Sequence, residues 1–415
     1  MKAFIFSKYT PLMWNLMRLL FAFSLVSLSV NAQFIDKSND RVKTPLKIEM
    51  KYLGTLTSRS TAEIQSSRIT VGCETLDRDY TVWENYKEYL PPLGVKKIRL
   101  QAGWAKCEKS PGVYDWKWLD EVIDYAIAHN IEPWLQPSYG NPIYKGGGDI
   151  NLLNSIMTSE EGWAAWDRWV EALVTRYRDR VKEWEIWNEP DHPAQEITPE
   201  TTAHLNIRTA EIIKRLQPNA KIAGLAFTSN SDTVYLDKFL KIISESNKLG
   251  LFTWITYHSY TMRPEDAYTY ERVLGLRKVL EKYSSVIKLR QGENGAPSTY
   301  IPSFALSKYY WTEYTQAKYN MRRVLGDFGH DIETDVFTII DIYYDWGNPE
   351  TAVLNTKGLI QSDATKAAIR PKVAYYAIQN IASIFDNDLI LRSDFVYQSE
   401  FKQSLSVYGY KHKNT

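Results

Sequence analysis

The chain has 415 residues, enough for one large core, or for one core with a small satellite. Its formal net charge of +1, with no basic run, gives nucleic acid or an anionic surface no footing. Two cysteines are too few for a disulfide scaffold, and the six His show no metal-ligand spacing such as His-Glu-x-x-His, so no metal is expected.

In chain order, residues 1–32 read as an export address. Lys2, Lys8 and Arg18 supply positive charge. Residues 19–30 are uncharged and mostly apolar, and Val30-Asn31-Ala32 precedes a cut at Gln33. The apolar run is short for a membrane span, so a secretory signal peptide is expected, with Met17 as an alternative start. No Cys lies at the cut, so no membrane anchor is expected after cleavage. The mature chain is expected to be exported, to a periplasm or outside the cell. Residues 33–67 are expected to supply strands of a flanking β-domain. Within them 46–57 alternates, with Leu46, Ile48, Met50 and Tyr52 on one side.

From residue 68 onward, short apolar strands alternate with amphipathic helices. The strands are expected at 68–74, 96–101, 131–137, 183–189, 221–226, 252–260, 287–293 and 336–344. The helices are expected at 83–90, 116–129, 160–180, 201–216, 232–246, 265–283, 303–326 and 371–385. Eight strand-then-helix units make residues 68–387 an α/β domain of the (β/α)8 TIM-barrel type. A doubly wound open sheet would carry a Gly-rich phosphate turn after its first strand, and Gly72-Cys73-Glu74-Thr75 is not one. Residues 388–415 hold two or three further β-like runs. With 33–67 they make either an incomplete β-sandwich in a truncated chain, or a two- to four-stranded sheet resting on the barrel. Cys73 and Cys107 each lie near a strand end, as a bridge or as two buried thiols.

Two strings carry the chemistry: Trp187-Asn188-Glu189-Pro190 after the fourth strand, and Gln291-Gly292-Glu293-Asn294-Gly295 at the end of the seventh. In such a barrel the site lies at the C-terminal strand ends. Two Glu that are 104 positions apart in the chain (293 − 189) thus meet there. Paired carboxylates among aromatics suit a retaining glycosidase, in which one acid protonates the leaving oxygen and one carboxylate attacks the sugar carbon. Burial against Trp184 or Trp187 is expected to raise the pKa of Glu189. Trp104 follows the second strand, Tyr139 and Asn141 the third, and Trp346 the eighth. These are loop positions on the catalytic face, where rings stack on sugars and amides read hydroxyls. Trp346 is the first choice for the floor of the subsite. The run Lys145-Gly146-Gly147-Gly148-Asp149 is either a surface turn or a gate.

The Asn-Glu-Pro string and the second Glu resemble those of clan A glycoside hydrolases, most closely family 39, the β-xylosidase and α-L-iduronidase group. The resemblance covers about residues 68–385. It implies Glu189 as general acid/base, Glu293 as nucleophile and Asn188 on the sugar 2-hydroxyl. It also implies Arg99 beside the nucleophile, with a barrel salt bridge to Glu185 as the plain alternative. His258 and Tyr260, at the end of the sixth strand, are implied as site residues, and Arg290 could assist Glu293. The family more often carries Thr-Glu where this chain has Gly292-Glu293.

The expected function is therefore hydrolysis of plant-type or other polysaccharide-derived glycans by double displacement, with a carbohydrate as partner and no cofactor. Two rivals stand beside it: an endo-acting glycanase of another clan A family, and a barrel that binds carbohydrate without cutting it. A uronic acid would need an unpaired Lys or Arg in the pocket, and the sequence places none.

Overall fold

A computed structural model describes residues 54–193, 195, 197–400 and 405–413. The expected signal peptide, and the alternating run as far as residue 53, lie outside the described residues.

Eight parallel strands close into a barrel: β1 (Ile69–Gly72), β2 (Lys97–Gln101), β3 (Glu132–Gln136), β4 (Glu183–Glu185), β5 (Lys221–Phe227), β6 (Trp254–His258), β7 (Lys288–Glu293) and β8 (Glu333–Val336). Their order around the ring is their order in the chain. β1 closes the ring, setting Val71 opposite Ile98 of β2 and opposite Val336 of β8. The strands are followed by α1 (Leu90–Leu93), α2 (Lys117–Ala128), α3 (Glu160–Tyr177), α4 (Pro199–Leu216), α5 (Thr233–Glu245), α6 (Ala267–Glu281), α7 (Glu313–Gly329) and α8 (Val373–Ile384). This is a (β/α)8 barrel.

Local chemistry sets most of these boundaries. Ser159, Thr198, Asp232, Asp266 and Thr312 each cap a helix by accepting a hydrogen bond from a backbone N–H of its first turn. Strand alternation sends Lys97, Arg99 and Gln101 of β2 into the barrel, while Ile98 and Leu100 join the apolar layer under the helices.

Three expected elements differ. The eighth barrel strand is Glu333–Val336, ahead of the apolar run at 336–344, whose end instead pairs as a hairpin, Ile342–Tyr344 with Val353–Asn355. The helix expected at 83–90 is two 3-10 turns leading into α1, where Pro91 and Pro92 fit the first turn and Gly94, at φ 77°, ends it. α7 begins at its Thr312 cap, so 303–311 is loop.

At the flank, Leu389–Arg392 pairs antiparallel with Gly409–His412, and Ser67 bridges to Asp386. Residues 54–66 form no strand. Cys73 and Cys107 are free and buried. The glycine run packs backbone on backbone: a Cβ on Gly148 would meet Ser155 O at 1.9 Å, so this loop is a tight turn. Among the described residues, no helix is long and apolar enough to cross a membrane.

Candidate active site

The barrel interior is layered. At its base Arg290 forms ion pairs with Glu183 and Glu333, with Trp254 and Trp134 over its guanidinium at 3.6 and 4.5 Å. Three residues of strand separate it from Glu293, about 10 Å, so Arg290 does not assist that carboxylate. Above it, Arg99 is fully buried. It donates from Nε to Glu185 (2.7 Å), from Nη1 to Glu74 (2.9 Å) and Glu293 (3.2 Å), and from Nη2 to Asn188 Oδ1 (2.8 Å). The contact with Glu293 and the barrel salt bridge to Glu185 are thus both present.

Over this layer opens a pocket of about 990 Å3, lined by both Glu189 and Glu293. Backbone irregularities aim them. Trp187 and Glu189 have φ of 68° and 49°, a left-handed region that costs a side-chain-bearing residue roughly 1–2 kcal/mol. The turn is held by Glu189 N–H donating to Ala226 O at 2.8 Å. It packs the Trp187 ring against Trp166 and Tyr139 and swings Asn188 onto Arg99. On β7 the register with β6 slips between Tyr257 and His258, so that His258 pairs with Glu293. Strict alternation from Arg290 would have brought Gly292, not Glu293, to the inner face.

His258 Nδ1 lies 2.8 Å from Glu189 Oε1 and 3.7 Å from Glu293 Oε2. Tyr260 Oη donates to Glu293 Oε1 at 2.6 Å. Asn188 Nδ2 donates to Tyr139 Oη at 2.9 Å. Burial pushes the Glu189 pKa up, but the His258 hydrogen bond and charge outweigh it and hold it below the usual carboxylate range. This reverses the expected direction. Neither expected tryptophan walls the pocket: Trp184 bonds Gln217 and Trp187 lies in an aromatic cluster. Burial lowers the His258 pKa, but the Glu293 and Glu189 carboxylates raise it by more.

Two expected sugar contacts are corrected. Trp104 is fully buried in a cluster with Trp166, Trp169 and Tyr144, where its indole N–H donates to Glu108. Asn141 is equally buried and donates to the backbone O of Glu108. Neither lines the pocket. Trp346 does line it, stacked on Tyr344 at 5.8 Å, but at 54% exposure it stands at the mouth rather than the floor.

Glu74, Arg78, Tyr344 and Lys357 also line the pocket and are additions to the expected set. Glu74 and Tyr344 had a signal, each as the last residue of an expected strand. Lys357 comes from the loop after the hairpin. Its amine lies 5.4 Å from the Tyr260 ring centroid, and burial lowers its pKa to about 7 against the pull of Glu293.

Among the described residues, two groups have ligand atoms spaced for a metal ion. Glu189, His258 and Glu293 lie within 4.8 Å of one another but already bond each other, Tyr260 and Arg99. Of Asp386, Asp388 and His412, the two carboxylates pair with Arg59 and Lys413.

The model of glycosyl hydrolases family 39 matches residues 81–390. A curated β-galactosidase, BgaA of Clostridium cellulovorans, is 42% identical over 136 residues, which is 27% of this chain and 20% of that protein. The chain thus meets one fifth of that relative's length. Among solved structures, a family 39 glycoside hydrolase from Bacteroides cellulosilyticus WH2 superposes with a TM-score of 0.59 at 18% identity, over 79% of this chain and 66% of that one. A monomeric β-xylosidase from Caulobacter crescentus CB15 gives 0.59 at 19% identity, over 80% and 73%. At such identities the likeness is one of fold.

Proposed function

Since this chain belongs to glycosyl hydrolases family 39, we propose that it is a retaining glycosidase acting by double displacement, with Glu293 as nucleophile and Glu189 as acid/base. One observation carries the reading: an oxygen of Glu189 and an oxygen of Glu293 lie within 4.8 Å, with His258 between them. A retaining pair has its carboxyls about 5–5.5 Å apart, whereas an inverting pair needs about 6.5–9.5 Å to admit a water.

In the first step Glu293 attacks the anomeric carbon while a proton passes to the leaving oxygen, giving a glycosyl ester. In the second, Glu189 takes a proton from water, and that water displaces Glu293. Tyr260 and Arg99 donate to Glu293 and hold it aligned. The low pKa of Glu189 does not leave it without a proton to give. The Glu189–His258 pair holds one between two atoms 2.8 Å apart, and a sugar that excludes water favours its neutral form on the carboxyl. Asn188, fixed between Arg99 and Tyr139, is set to meet a sugar hydroxyl.

The test is a panel of aryl glycosides, including uronides because Lys357 offers a buried amine, assayed with wild type and Glu189→Ala. In the variant, kcat/KM for poor leaving groups is expected to fall about 10²–10⁴-fold. Activated leaving groups should be nearly unaffected, and azide should give a glycosyl azide of retained configuration. Equal losses for both leaving-group classes would remove Glu189 from the acid role. A folded wild type that binds glycans and cleaves none would favour the non-catalytic barrel.

We also propose export, on the uncharged run at 19–30. Expression in a Gram-negative host should yield periplasmic or secreted protein beginning at Gln33. Uncleaved protein confined to the cytoplasm would rule this out.

A further inference from the structure

Glu74 has no part in the steps above, yet it is packed against their centre. It follows β1 and folds back over Gly72. A Cβ at residue 72 would lie 2.2 Å from Glu74 Oε2, so only glycine there lets the carboxyl sit where it does. In that position Oε1 accepts from Arg99 Nη1 at 2.9 Å, the same nitrogen that donates to Glu293 at 3.2 Å. Its other oxygen is buried without a hydrogen-bond partner.

The groups facing Glu74 come from every side. Arg99 comes from β2, Glu293 from β7 and Asp335 from β8, and the hydroxyls of Tyr260, Tyr344 and Tyr86 and the Cys73 thiol complete the surroundings. Glu185, from β4, draws on Arg99 as well. One guanidinium therefore serves three carboxyls, and both oxygens of buried Asp335 lack partners too. Ionising all four around a single positive charge, out of water, would leave buried charge uncompensated. Of these acids Glu74, Glu185 and Asp335 each have an orphaned oxygen, Glu74 and Glu185 touch Arg99, and of the three Glu74 is the one that lines the pocket. Burial raises its pKa, Arg99 opposes this and the Glu293 charge adds to it, to about 7.

We propose that Glu74 is a positioning residue: a neutral carboxylic acid that shares Arg99 Nη1 with the Glu293 carboxylate, and whose ionisation draws Arg99 away from it. This rests on the reading of Glu293 as nucleophile. The sign follows from the geometry. Below the Glu74 pKa, Glu293 is the charged partner of Nη1; above it, two carboxylates pull on the same nitrogen, and turnover falls.

Two measurements test this. The first is the pH profile of kcat/KM for an aryl glycoside whose leaving group needs no proton, so that titration of Glu189 drops out. Wild type should lose activity above about pH 7, and in Glu74→Gln, which cannot ionise, that limb should move to higher pH. An alkaline limb at the same pH in both overturns the proposal. The second does not need turnover: the infrared carboxylic-acid C=O band of wild type minus Glu74→Gln. One protonated carboxyl should be present at neutral pH and lost at alkaline pH. Its absence at neutral pH overturns the proposal. A wild type silent on every glycoside would sink the reading of Glu293, and the band would still decide whether Glu74 carries its proton.

Discussion

Glu293→Ala is expected to lower kcat/KM by about 10⁴-fold or more on any aryl glycoside that the wild type cleaves, roughly 5.5 kcal/mol of transition-state stabilisation. In the proposed mechanism the carboxylate is the group that forms the new bond, and the neighbouring acids are placed for other contacts. Glu189 is held on the other side of His258, and Glu74 lies in the layer beneath with one oxygen on Arg99. The truncation leaves a space on the attacking face while Tyr260 and Arg99 remain. Azide is small enough to enter it, so activity should partly return and the product should be a glycosyl azide of configuration opposite to the substrate's. NMR of that product is the readout. A retained azide, or a loss below about tenfold, would mean that another group makes the bond.

Arg99→Met should be the most damaging single change to stability, with a loss of about 3–5 kcal/mol in urea unfolding, read as a lower midpoint at unchanged slope. Methionine fills much of the same volume, so the effect is electrical rather than steric. The guanidinium has no exposure and serves Glu185, Glu74, Glu293 and Asn188 at once. Without it at least two carboxyls stand in the barrel with no counter-charge, and Asn188 loses the donor that orients it. A change below about 1 kcal/mol would show that these acids become neutral at little cost, and the charge argument for the layer would fail.

Most of the barrel was legible because its strands are brief apolar runs between long amphipathic helices. β8 was not, because Glu333-Thr334-Asp335-Val336 is mostly polar and points Asp335 inward, while the apolar stretch after it imitates a strand. The two Glu were legible from position alone. The routes by which they reach the pocket were not. One depends on left-handed turns at Trp187 and Glu189, the other on a register slip beside His258, and neither has a residue signature. Trp104 and Asn141 sit at strand ends as a sugar contact would, yet Glu108 claims both. Nothing local in the chain announces that partnership across a loop. Lys357 is harder still, since a lysine after a hairpin reads as solvated until the loop buries it.

The Arg290 assembly at the barrel's base has a consequence for traffic. With Trp134 and Trp254 closed over the guanidinium and Glu183 and Glu333 paired with it, the described residues fill the interior below Glu293. In the proposed function, a sugar held against Glu293 leaves by the way it came, past Trp346 and after the aglycone has gone. The released sugar and the next substrate therefore share one corridor, and the enzyme's pace at high product concentration becomes a question of queueing rather than of bond breaking.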